Sequence, residues 1–117
     1  MLEMYRGDTY KIDLVIVNDQ TGDVIDITGA TMKFMAKRNV SDADAAAVVT
    51  KMVGAGVTLT DALNGKAQVV LLPADTSNLI ETVQLECEAQ MTLAGDVFTV
   101  ASQPLLVRAD VVRGASS

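Results

Sequence analysis

The sequence predicts an all-β domain. Three observations carry the prediction: apolar residues recur at every second position in several segments, those segments are short, and Gly, Asn and Asp gather between them. At 117 residues the chain has the size of one domain with one hydrophobic core. Residues 1–117 are therefore taken as a single unit, with 1–6 and 114–117 as frayed tails.

Residues 8–17 set Tyr10, Ile12, Leu14 and Ile16 on one face and Lys11, Asp13 and Val15 on the other, which is a strand with one buried side. Turn formers fill 18–23, and 24–27 make a short apolar piece ending at Thr28-Gly29. In 31–38, Met32, Phe34 and Ala36 alternate with Thr31, Lys33 and Lys37, giving another strand. Residues 41–47 hold the one helical signal, with Ser41 as the expected cap and Asp42 and Asp44 near the positive end of the helix dipole. Residues 48–52 either continue this helical piece or form a strand, the strand being favoured, and strands are expected over 57–60 and 66–72, joined by a hairpin turn at 61–65 that contains Asn64-Gly65.

Pro73 has no N–H for a ladder, so 73–78 predict a turn or a single helical turn. The clearest alternation follows, with Val83, Leu85, Cys87, Ala89 and Met91 set against Gln84, Glu86, Glu88, Gln90 and Thr92. A turn at 94–96 leads into 97–102, and 104–112 supply the last strand. About eight short strands with one short helical connection point to an antiparallel β-sandwich of immunoglobulin-like type. A closed barrel satisfies the same strand count. The two Cys and the Trp of true immunoglobulin domains are absent, so the architecture alone is predicted.

Half of the residues are apolar and 21% are charged, so the chain has the means to fold. Aromatics are limited to two Tyr and two Phe, which leaves the core to Val, Leu, Ile, Met and Ala. A net charge of −6 with no run of Lys and Arg disfavours nucleic acid as a partner, because nonspecific affinity comes from cations clustered on phosphates. Attachment to an anionic membrane needs a basic patch, and a spanning helix needs roughly 20 apolar residues; the sequence has neither. The opening stretch Met1-Leu2-Glu3-Met4-Tyr5-Arg6-Gly7 lacks the basic start and apolar run of a secretory signal, so export by the general route is not expected.

Chemistry is sparse. With no His, Ser-His-Asp and Cys-His triads are ruled out, and with one Cys there is no zinc cluster. Cys87 lies on the apolar face of its strand and reads as a small buried hydrophobe. The glycines sit at turns and form neither a dinucleotide fingerprint nor a phosphate-binding loop. Glu86 and Glu88, two apart on one strand face, are the only carboxylate pair with spacing for acid and base work, and the solvated outer face of a strand explains them better. Asp42 and Asp44 with Ser41, or Asp19 and Asp23 with Asn18, offer oxygen ligands for a hard cation, but neither group follows the twelve-residue calcium loop. Helix capping and turn formation account for both. Arg6-Gly7-Asp8 spells an adhesive tripeptide that leads straight into a strand. No catalytic, metal or cofactor residue is assigned, and no enzyme is expected.

Three pieces read together carry a resemblance: Arg6-Gly7-Asp8-Thr9 opening a strand, Thr21-Gly22 followed by Ile25-Asp26-Ile27-Thr28-Gly29-Ala30-Thr31 leading to Phe34, and Leu72-Pro73-Ala74-Asp75-Thr76. Over most of its length, residues 6–113, the chain resembles the N-terminal immunoglobulin-like domain of tailed-bacteriophage baseplate upper proteins and related tail proteins. The resemblance implies a structural virion component that docks on other phage structural proteins and repeats around the tail axis, made and assembled in the bacterial cytoplasm. It leaves baseplate, tail tip, neck and head decoration open, because those proteins continue into further regions where this sequence stops. The rival class is a ligand- or carbohydrate-binding sandwich module of a larger system, against which the scarcity of aromatic rings argues. A homo-oligomer or ring is expected, with contacts through unpaired edges at the terminal strands 8–17 and 104–112.

Overall fold

The computed structural model describes residues 2–18 and 20–109. The chain is all-β, with strands β1 (Leu2–Tyr5), β2 (Tyr10–Val15), β3 (Thr31–Lys37), β4 (Val49–Val53), β5 (Gly56–Asp61), β6 (Lys66–Leu71), β7 (Val83–Leu93) and β8 (Asp96–Arg108), and one short helix, α1 (Pro73–Thr76). All eight strands join one mixed sheet in the order β1-β8-β7-β3-β4-β5-β6-β2, nearly closed into a barrel. Most neighbours are antiparallel, but β1 runs parallel to β8, and β4 meets β5 in parallel through only two residue pairs, Met52 with Gly56 and Val53 with Val57.

The alternation seen in the sequence becomes the core. Met32, Phe34 and Ala36 of β3, Ala67, Val69 and Leu71 of β6, Leu85, Cys87, Ala89 and Met91 of β7, and Leu105 and Val107 of β8 are buried in one cluster with Ile12 of β2 and Val57 of β5. Residues 24–27 form no strand beyond a single bridge between Val17 and Val24, yet Ile27 is fully buried and its N–H bonds the Ala62 carbonyl. The hairpin at 61–65 forms as expected, with a 3₁₀ turn over Ala62–Asn64 and Gly65 at φ 70°.

Four expectations are corrected. The helix over 41–47 reduces to a 3₁₀ turn at Asp44–Ala46 with no side-chain cap. So short a segment cannot repay helix nucleation, and Val48 is drawn off into a backbone bond with Ala36 beside β3. Residues 2–5, expected to fray, form β1. The expected strands 97–102 and 104–112 are one strand, β8, which continues through a register shift that leaves Val100 unopposed between Ala101 and Thr99. Pro104 is tolerated inside it because Arg6 donates to the Arg108 carbonyl; by alternation the Pro104 nitrogen faces the β1 side, at a level before the first residue of β1. Finally, β8 lies between β1 and β7 and is not an edge; the sheet ends at β1 and β2. The tail at 114–117 and the end of the expected last strand lie outside the described residues.

Candidate functional site

Two of the sequence elements singled out above meet in space. The turn at 6–9 bends at Gly7, φ 80°, and the Asp8 N–H donates to the Tyr5 carbonyl at 3.2 Å. That bend brings the Gly7 N–H to the hydroxyl of Thr76, 2.8 Å away and fully buried. Beside it, the buried guanidinium of Arg6 donates to the carbonyl of Ser77. The partner element is itself braced. Asp75 accepts from the Leu72 N–H at 2.6 Å and its own N–H returns to the Leu72 carbonyl at 2.9 Å, with Pro73 at the first helical position. The Lys51 ammonium sits 2.8 Å from the same carboxylate, so β4 is tied to the junction as well. With its Arg buried against a carbonyl, the Arg6-Gly7-Asp8 tripeptide is a structural turn and does not present an adhesive side-chain pair.

A shallow cavity of about 270 Å³ lies on the outer face of β3, β7 and β8. Its walls include Lys33, Met35 and Lys37 of β3 and Glu86 and Glu88 of β7, roofed by Val40 and Asp44. The register explains the grouping, because Lys37 stands opposite Glu86, Met35 opposite Glu88 and Lys33 opposite Gln90. Glu86 and Glu88 do share a face, as their spacing predicted, but each accepts from a neighbouring Gln, at 3.4 Å from Gln84 and 3.1 Å from Gln90. The cations stand on the β3 side of the groove and the Glu86 and Glu88 carboxylates on the β7 side, so its charges offset one another locally. Sequence reasoning missed Lys33, Lys37 and Val40 because their grouping depends on the pairing of β3 with β7. The opposed charges of two alternating strands were the available signal.

The two proposed cation sites resolve into local structure. Lys37 places its ammonium 2.8 Å from the Asp44 carboxylate and 2.9 Å from the Asp42 carbonyl, so a side-chain cation occupies this oxygen cluster. The Lys37 charge, through its hydrogen bond first, holds the Asp44 carboxyl below its ordinary range. The Asp42 carboxylate caps the Asn39 N–H at 3.2 Å, and Ser41 is exposed. In the other group, Asn18 accepts from the N–H groups of Gln20 and Thr21 at 2.8 and 3.2 Å, a turn built from its own side chain. The Asn18 N–H bonds the Asp23 carbonyl, and Asp19 lies outside the described residues. Cys87 is buried, and burial, with the Glu86 charge second, pushes its thiol up to about 12. A thiol so held is a packing group, not a nucleophile.

Among the described residues no helix is long and apolar enough to cross a membrane. No family model matches the chain, and no curated protein matches it closely enough to be counted a relative.

Proposed function

We propose that the chain is a non-enzymatic structural component of a bacteriophage or prophage particle, in the tail or baseplate, acting through contacts with other structural proteins. One observation carries the reading. Arg6-Gly7-Asp8-Thr9 and Leu72-Pro73-Ala74-Asp75-Thr76, far apart in sequence and both part of the phage-domain resemblance, are joined by a buried hydrogen bond from Gly7 to Thr76, flanked by one from Arg6 to the next residue, Ser77. Motifs that pack together serve as one folding unit, which is the role expected of turn and strand elements in a scaffold domain.

The finer architecture follows the same reading. The β4 to β5 link is two residue pairs at a tight chain reversal, and dividing the sheet there leaves β1-β8-β7-β3-β4 facing β5-β6-β2. The second strand then pairs with the sixth and the third with the seventh, as strands B with E and C with F do in an immunoglobulin-like sandwich. The rival carbohydrate-binding reading gains nothing from the outer groove, whose walls hold no aromatic ring. Mass spectrometry of purified virions from the parent phage, or from an induced prophage, tests the proposal. The chain is expected at a stoichiometry set by ring symmetry, and its consistent absence from intact particles refutes the reading.

A further inference from the structure

The two ends of the sheet differ in what they offer a partner. Along β2, the Ile16 N–H bonds the Gly65 carbonyl at 2.8 Å, and the pairing with β6 continues as Val15 with Lys66, Leu14 with Ala67 and Ile12 with Val69. In an antiparallel ladder opposed residues alternate between bonded and unbonded pairs, so the backbone N–H and C=O groups of Lys11, Asp13 and Val15 point away from β6. At the other end, the Arg6 N–H bonds the Arg108 carbonyl, which turns the outward groups of β1 to Glu3 and Tyr5. The Tyr5 carbonyl is already taken by the Asp8 N–H. Among the described residues no backbone hydrogen bond joins β1 to β2. Among the described residues, β2 is the longer of the two strands that lack a hydrogen-bonded neighbour on one side.

We infer that β2 pairs antiparallel with β2 of a second copy of this chain, about a two-fold axis at Ile12. The side chains select this partner and this register. With the axis at Ile12, Lys11 stands opposite Asp13 of the other copy and Asp13 opposite its Lys11, both exposed on the outer face. Each opposed pair is made of outward-pointing residues, so it exchanges both backbone hydrogen bonds. On the inner face Ile12 meets its own symmetry mate and Tyr10 meets Leu14, covering two apolar side chains that the monomer buries only in part. Moving the axis to Asp13 would set two carboxylates face to face, a destabilising arrangement. Slipping by one residue would turn outward groups toward inward ones and reverse the faces. A strand that is its own complement in charge, bonding and apolar face is fitted to an isologous contact. The inference adds a closed two-fold contact, separate from the head-to-tail contacts by which copies repeat around a ring, and rests on the β2 edge itself, so the virion measurement and the solution test below fail separately.

Sedimentation equilibrium of the full chain, from micromolar to millimolar concentration at low salt, tests it. The unaltered chain is expected to show a monomer–dimer equilibrium. Lys11→Asp and Asp13→Lys, each alone, turn two attractive cross-strand pairs into two repulsive ones and are expected to weaken the dimer by roughly thirtyfold. An equimolar mixture of the two variants restores opposite charges across the axis and is expected to recover the dimer, as is the doubly exchanged chain. Circular dichroism checks that each variant is folded, with Lys11→Glu and Asp13→Arg as replacements for one that is not. A monomer at every concentration, or single variants that associate as well as the unaltered chain, would overturn the inference. So would single variants that stay monomeric when mixed.

Discussion

Replacing Thr76 by Val tests whether the junction between the turn at 6–9 and α1 holds the fold together. Val has nearly the shape of Thr, so the fully buried site keeps its packing while the Gly7 N–H loses the acceptor 2.8 Å away. Leaving one buried donor without a partner costs about 1–3 kcal/mol. Thr76→Ser is the converse, keeping the hydroxyl and removing a methyl group, at a cost of about 1 kcal/mol. The predicted order of stability is Thr, then Ser, then Val. Against a total of about 5–15 kcal/mol for a domain of this kind, a loss of 2 kcal/mol is large. It moves a urea midpoint by about 1–2 M, well within the precision of unfolding followed by far-ultraviolet circular dichroism. If Thr76→Val is as stable as Thr76→Ser or more so, the Gly7 bond is not what joins the two elements, and the argument fails.

Two further predictions rest on the same core. Gly65→Ala is expected to cost about 2–4 kcal/mol, since Gly65 has φ 70° and a Cβ there would lie 2.6 Å from the Ile16 carbonyl oxygen and 2.8 Å from that of Ile25, both backbone atoms. Gly29→Ala shares the positive φ, 81°, but meets nothing within 4 Å, so it is expected to lose only about 1 kcal/mol, and equal losses in paired urea melts would remove the steric argument. The Cys87 thiol, raised from 9.0 to about 12, binds its proton more tightly folded than unfolded. Its contribution is therefore complete below pH 9 and declines as pH rises from 9 towards 12. Urea midpoints taken across that window are expected to fall more steeply for the unaltered chain than for Cys87→Ala, and parallel curves would count against the burial argument. Alkylating reagents at pH 8 should modify Cys87 only under denaturing conditions.

Where one strand carries its own full signal, the sequence was legible. Strand β7 needed no partner to be read, because ten consecutive residues divide cleanly between apolar and polar faces and the apolar set is buried from Leu85 to Met91, with Val83 half-buried at its start. The β5 to β6 hairpin was equally local, its Asn64-Gly65 turn supplying the left-handed backbone that the geometry uses. Legibility ended where a residue's state is decided by something distant. The helical signal at 41–47 was real in composition, but β3 takes Val48 and Val49 into its ladder and leaves only one turn. Strand β1 is four residues long and is stabilised by a parallel partner at the opposite end of the chain, which alternation over so short a span cannot announce. The expected strands 97–102 and 104–112 are continuous in β8, because the neighbouring strand begins too late to need an N–H from Pro104.

The same distinction explains why the candidate site was harder to see than the fold. Arg6-Gly7-Asp8 and Leu72-Pro73-Ala74-Asp75-Thr76 were each visible as motifs, yet what they do depends on a contact between them that neither contains. Asp42 and Asp44 looked like cation ligands because the sequence does not show that Lys37 is folded against them. Edges pose the sharpest case. The stretches that became β2 and β8 were both read as strands, and nothing local in either says whether it ends a sheet. Order alone separates them: β1 returns to cover the outer side of β8, while β2 has β6 on one side and, among the described residues, no hydrogen-bonded strand on the other. An edge is thus a property of the whole pairing scheme. Its partner, by contrast, is written locally, in Lys11 and Asp13, because the charges that select a neighbouring strand must lie on the strand that receives it.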